Sequence, residues 1–172
     1  MSQLIRLEDG RFAEAHDRFT FVADDEPVPA GDVIVSLTRF QAEGEALASE
    51  GRQVGVRVEP HEAVEDLAYD LPTIPVMALS FAKYRDGRPY SSARLLRERF
   101  KFAGEVRAVG DVLREQGLFM VRCGFDGFAP ADGSSAQQWA AAVGRYRHVY
   151  QRAADAREPA FAERAEGAGH GL

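Results

Sequence analysis

The sequence contains a single cysteine, Cys123, in 172 residues. No intrachain disulfide can form, and cysteine-rich zinc or iron–sulfur sites cannot be built from this chain alone. Long apolar runs are missing as well. The longest strongly apolar stretch, Ile74 to Phe81, is interrupted by Pro75, whereas a bilayer-spanning helix needs about 20 residues. Glu8 and Asp9 arrive before any apolar run, so no signal peptide is expected. The four histidines, His16, His61, His148 and His170, show no ligand-pair spacing, and no metal site is expected. There is no P-loop, no GxGxxG fingerprint, no GxSxG elbow and no HExxH pair, so no cofactor is expected either. These absences leave a reduced, cytoplasmic, soluble protein as the expectation.

What is present suffices for one domain with a real core. At 45% apolar residues, a chain of this size buries about 70% of its unfolded surface. Twenty-seven acids against 21 bases give a net charge of −6, which disfavours nucleic acid and anionic membrane as partners. Homodimerisation is compatible with such a chain.

Residues 1–30 read as an N-terminal β extension. Leu4, Ile5, Leu7 and Phe12 flank Asp9-Gly10, a hairpin turn pair, and Phe19 to Val22 form a second extended run. DDEPVPAG is a turn or linker. A single α/β domain is expected over 31–152. Val33–Leu37 is an apolar, β-branched strand, 39–50 a polar helix closed by Gly51, and 53–58 a second strand, close to the minimum for a parallel crossover. His61–Leu67 predicts a short acidic helix, and 76–81 a strand. Ser91 or Ser92 predicts the cap of a helix reaching Phe100, and 105–109 a strand; Gly117 is expected to stop a short helix begun at Asp111. Trp139, Ala142, Val143, Tyr146, Val149 and Tyr150 recur at helical spacing, with Ser134 and Gln137 as a capping box. Residues 153–172 read as a disordered tail. The fold class is therefore α/β, a mostly parallel sheet with flanking helices, either an open layer or part of a barrel.

The charge is unevenly placed. From Lys83 to Arg107 there are eight bases and three acids, so this window carries +5 and the rest of the chain −11. AKYRDGRPYSS leads from a strand end towards a helix start, where ligands of parallel α/β folds sit. Lys83, Arg85 and Arg88 beside free N–H groups at Ser91, with Gly87 shaping the turn, could hold an oxyanion. Arg94, Arg97 and Lys101 share a helical spacing and could face an acidic partner. Three readings stand side by side: a solvated, internally paired face, a small-anion site, and a protein-docking surface.

Candidates for chemistry are few. Cys123 follows Arg122, whose guanidinium could activate the thiol, and is equally a small core residue. Asp111 and Asp126 stand at strand ends or turns, where either an acid–base role or simple capping is open to them.

The stretch FAKYRDGRPYSSARLLRERFKFAGEVRAVGDVLREQGLFMVRCGFDGF, residues 81–128, resembles the signature of a bacterial family, DUF934. Arg85, Asp86, Gly87, Arg88, Ser91, Arg94, Arg97, Arg107, Asp111, Arg122, Cys123 and Asp126 are among the positions that carry the likeness, which covers about residues 30–150. The resemblance implies a setting in sulfite reduction, sulfate assimilation and cysteine biosynthesis, with a probable-oxidoreductase label but no assigned catalytic residues. On that basis the expected role is an accessory protein that binds a partner, such as sulfite reductase or a ferredoxin-like electron carrier, or a small oxyanion. The alternative is a small-molecule enzyme, an oxidoreductase among the options, acting on an anionic substrate at the strand ends.

Overall fold

A computed structural model describes residues 3–155 and 157–168, with side chains through 164. The first two strands, β1 (Leu4–Glu8) and β2 (Arg11–Ala15), pair antiparallel in the register Glu8↔Arg11. Asp9 and Gly10 take φ of 49° and 75°, the double positive-φ turn that matches the twist of a hairpin. β3 (Phe19–Phe21) follows. The Pro27–Pro29 segment then leads to β4 (Asp32–Ser36).

Ser36 ends that strand and caps α1 (Leu37–Ser49), its Oγ accepting from Arg39 N at 3.0 Å. β5 (Val54–Val58) returns beside β4. A 3₁₀ turn, Val64–Leu67, occupies the second half of the stretch His61–Leu67 where a short acidic helix is expected, and another, Leu71–Thr73, follows it. Pro72 lies in the second turn and cuts regular structure short. β6 (Val76–Phe81), α2 (Arg88–Arg94) and β7 (Glu105–Gly110) come next. α3 (Gly117–Cys123), β8 (Gly127–Phe128), α4 (Ala136–Val143) and α5 (Ala160–Ala168) complete the order.

The eight strands form one mixed, mostly parallel sheet, ordered β2-β1-β8-β7-β6-β5-β4-β3. β3 to β8 run parallel, and β1 joins β8 antiparallel. The sheet curls into an open half-barrel. Alternation along the strands explains its two faces. Val56, Val58, Met77, Leu79, Val106 and Phe128 point to the outer face, in one apolar core with residues of α2, α3 and α4. Val33, Val35 and Val54 pack against Leu47 of α1 in a second cluster. Helices α1 to α4 thus pack on that face, as in a barrel wall. The intervening positions, Ile34, Gly55, Arg57, Ala78, Ser80, Glu105, Arg107 and Gly127, turn to the inner face.

Several elements depart from the sequence expectations. α2 begins at Arg88, not at Ser91 or Ser92, because Pro89 fits only the first helical turn and Asp86 Oδ1 accepts from Arg88 N at 3.1 Å. A π turn, Leu95–Arg99, then shifts the helical register, and Lys101 leaves the helix at φ 54°. Gly117 opens α3 instead of ending a helix. A Cβ there would come within 2.9 Å of the Trp139 ring. α4 stops at Val143 because the chain turns at Gly144, leaving Tyr146 61% and Tyr150 90% exposed. The capping box is Ser135 with Gln138; Ser134 instead accepts from Trp139 Nε1 at 2.9 Å. Beyond α4, Ala154 N donates to Arg122 O, and Val149 bridges Pro159 ahead of α5. Residues 156 and 169–172 of the expected tail lie outside the described residues.

Candidate functional site

The basic window divides into paired and unpaired halves. Arg88 donates to both oxygens of Asp86 at 2.9 and 2.6 Å, and this hydrogen bonding holds the Asp86 carboxyl below its ordinary range. The same carboxylate occupies the start of α2. Arg94 pairs with Glu98, three of their N–O distances lying between 3.0 and 3.2 Å. Arg97 turns inward, donating to the carbonyls of Gly124, Phe102 and Gly104 at 2.7–2.9 Å and to Asp126 Oδ2 at 2.6 Å. Ser91 lies within α2, and Gly87 precedes it. Arg94, Arg97 and Lys101 therefore do not form one surface stripe.

Lys83 and Arg85 remain exposed, and no acid lies within ion-pairing distance of either among the described residues. Arg85 Nε donates to Tyr84 Oη at 2.9 Å, and its guanidinium lies 5.3 Å from that ring. The loop is braced from two sides: Asp111 Oδ2 accepts from Tyr84 N, and Gln116 Nε2 donates to Tyr84 O. That last bond ties the loop to α3. Phe119 of α3 stacks edge-on against Tyr90 at 4.6 Å while remaining 57% exposed. From Phe119 a groove of about 660 Å³ runs between α3 and α4, bounded by Arg114, Leu118, Arg122, Arg145 and Tyr146. Arg114 is paired with Asp132 and Arg122 with Asp155. Arg145 has no acid partner among the described residues.

The candidates for chemistry are not brought to one place. Asp111 braces the loop after β6. Asp126 lies at the other end of the sheet, its Oδ1 accepting from Val106 N at 2.8 Å. Burial pushes the Asp126 carboxyl above its ordinary value, against the pull of Arg97. Cys123 sits in the core, and burial likewise raises its thiol, outweighing Arg94 and Arg122. A raised pKa is the opposite of an activated nucleophile. Tyr90, beside it, is pushed up to about 12, chiefly by burial.

Sequence reasoning singled out neither Arg57 nor Arg107 as site residues. Both stand on inner-face positions of buried strands. Arg57 pairs in register with Ala78, and Ala78 with Arg107. Arg107 is 2% exposed; Glu105 and Asp17 hold it at 2.6 and 2.8 Å. Burial works against its charge, yet these two carboxylates hold its pKa above the ordinary value. Glu105 also binds Arg6 at 2.6 Å, so an arginine-rich salt-bridge network lines the inner face. The signal was present in the strands VGVRV and EVRAVG, where one arginine interrupts each apolar run.

Residues 55–161 match the family model DUF934, described as a bacterial protein of unknown function. No curated protein and no solved structure matches the chain.

Proposed function

Since the chain belongs to the DUF934 family, we propose that it is an accessory protein of assimilatory sulfite reduction that docks an acidic protein partner through its arginine- and aromatic-rich face. The partner is sulfite reductase or a ferredoxin-like electron carrier. One observation carries this reading: Tyr84, Phe119 and Tyr146 are 40%, 57% and 61% exposed amid Lys83, Arg85 and Arg145, which lack acidic partners among the described residues. Exposed aromatics beside arginine are what protein interfaces enrich, and unpaired cations steer an acidic partner. The loop cations do not line the groove between α3 and α4, and Asp86 already accepts from the backbone at the start of α2. Both facts favour docking over capture of a free oxyanion at this loop.

Co-purification and titration with sulfite reductase and with ferredoxin, at low and moderate salt, test it. Binding should weaken steeply with salt. Phe119→Ala should reduce it roughly tenfold or more and Arg85→Glu should abolish it. If neither protein binds at low salt, or if binding ignores Arg85→Glu, the proposal fails.

A further inference from the structure

The inner face of the half-barrel carries a second feature, independent of the docking face. Across neighbouring strands one inner-face row reads Arg57, Ala78, Arg107, Gly127. Two guanidinium stems therefore flank one alanine methyl, their Cα atoms two strand spacings, or roughly 10 Å, apart. The small residue leaves a gap where a larger one would fill the face. A cleft of about 400 Å³ opens there, lined by both arginines, by Phe21 and by the apolar side chains of Ile34, Val109 and Pro130. It lies towards the C-terminal ends of β5, β6 and β7, the side on which parallel barrel walls receive ligands.

The donor inventory is incomplete in a telling way. Arg107 uses Nε on Glu105 and Nη1 on Asp17, while its Nη2 is buried with no hydrogen-bond partner among the described residues. Burying a charged donor without an acceptor is costly. Arg57 is paired through Nε with Glu59 Oε1 at 2.7 Å, sends Nη2 to Ser80 Oγ at 3.1 Å, and holds its guanidinium 4.8 Å from the Phe21 ring. Only its Nη1 has neither a hydrogen bond nor an ion pair among the described residues. Asp17 is the one carboxylate lining the cleft, and it is engaged by Arg107.

We infer that this cleft binds a small organic anion. A carboxylate or sulfonate head would sit between Arg57 and Arg107 over Ala78, and a compact apolar body against Ile34, Val109 and Pro130. The paired arginines select an oxyanion head that offers each guanidinium an oxygen, as a carboxylate or sulfonate does. The apolar wall selects against a bare inorganic ion, which would leave it wetted. The volume, at the lower end of ligand sites, sets the size.

Calorimetric titration of the full chain with benzoate and benzenesulfonate tests the inference. Benzyl alcohol serves as the body without charge, and sulfate as the charge without body. Saturable binding of one aromatic anion is expected, with both controls at least tenfold weaker. Arg57→Gln should weaken binding roughly tenfold or more, Arg57→Lys should recover only part of it, and Arg85→Glu, on the docking face, should leave it unchanged. A urea transition close to wild type shows that the Arg57 variants fold. Sulfate binding as well as benzoate, benzoate binding unaltered by Arg57→Gln, or no binding of either aromatic anion would each overturn the inference and leave the row as a salt-bridge network alone. None of these outcomes bears on docking, which is read with protein partners.

Discussion

Arg97 commits its guanidinium to four acceptors contributed by two separate pieces of chain: Gly124 and Asp126 in the turn after α3, and the segment 102–104. It therefore acts as a clamp between the end of α2's π turn and the start of β7. Arg97→Ala should lower unfolding stability by about 3 kcal/mol, because the three carbonyls and a half-buried carboxylate lose their donor together. Lysine should rescue little, since one ammonium cannot span a fan that size. The loss should also depend on pH. In the wild type the raised Asp126 pKa means that the folded state holds the proton more tightly, so stability declines as pH rises above the ordinary aspartate range and stays lower beyond the folded pKa. Removing Arg97 raises that pKa further. The penalty of the substitution should therefore be smaller near pH 4 than near pH 7, and urea midpoints at the two values measure the difference. A penalty independent of pH would mean that the carbonyl contacts alone matter.

At the scale of elements, α4 shows how little separates one reading from another. Ser134 and Ser135 are neighbours, and each has a glutamine three positions on or close to it. The capping pair is Ser135 with Gln138, and Ser134 serves the buried indole of Trp139. Ser135→Ala should cost about 1 kcal/mol of stability, the usual worth of an N-cap. Ser134→Ala should cost about as much or more, and should shift the tryptophan emission, because it leaves the buried Nε1–H unpaired. If Ser134→Ala leaves both fluorescence and stability unchanged, that assignment is wrong.

What was legible at this scale follows from what fixes each element. A β-branched run places β4, an apolar run β6 and a valine-rich run broken by one arginine β7, and Asp9-Gly10 places the hairpin, since these signals are local. The start of α2 was hidden because two serines signal a cap more loudly than Pro89 and Asp86 do. The length of α4 was hidden because Tyr146 and Tyr150 keep helical spacing beyond a turn at Gly144. Arg57 and Arg107 were legible as charges, and Arg107 was counted in the basic window. That they face one another across Ala78 depends on the register of three strands, which no single strand encodes.

At the scale of the whole molecule, the net charge of −6 conceals a division of labour. Of the eight bases between Lys83 and Arg107, Arg97 and Arg107 brace the interior, Arg88 and Arg94 pair locally, and the others stay free of acids among the described residues. Only this last group can attract a partner, so the effective surface field is weaker and more localised than the sequence sum suggests. The open edges of the half-barrel are managed in the same economical manner. β3 is three residues long, and β2 bears Arg11 and Glu14 among its exposed positions, features that discourage pairing with another sheet edge.

The hairpin at the beginning of the chain has a consequence in time. β1 is inserted between β2 and β8, with Ile5 opposite Phe128, so it is locked into the sheet only after the residues between these two partners have been synthesised. Its wholly buried Ile5 must wait for a partner more than a hundred residues away, and closing so long a loop is a late event in folding. Ile5→Ala should therefore hasten unfolding while leaving the refolding rate nearly untouched, which stopped-flow denaturant jumps would read directly. An equal slowing of refolding would instead make the hairpin a part of the nucleus. The parallel strands β4 to β7 can assemble in the order in which they are made. β1, the oldest of the inner strands, is the last stave to be fitted.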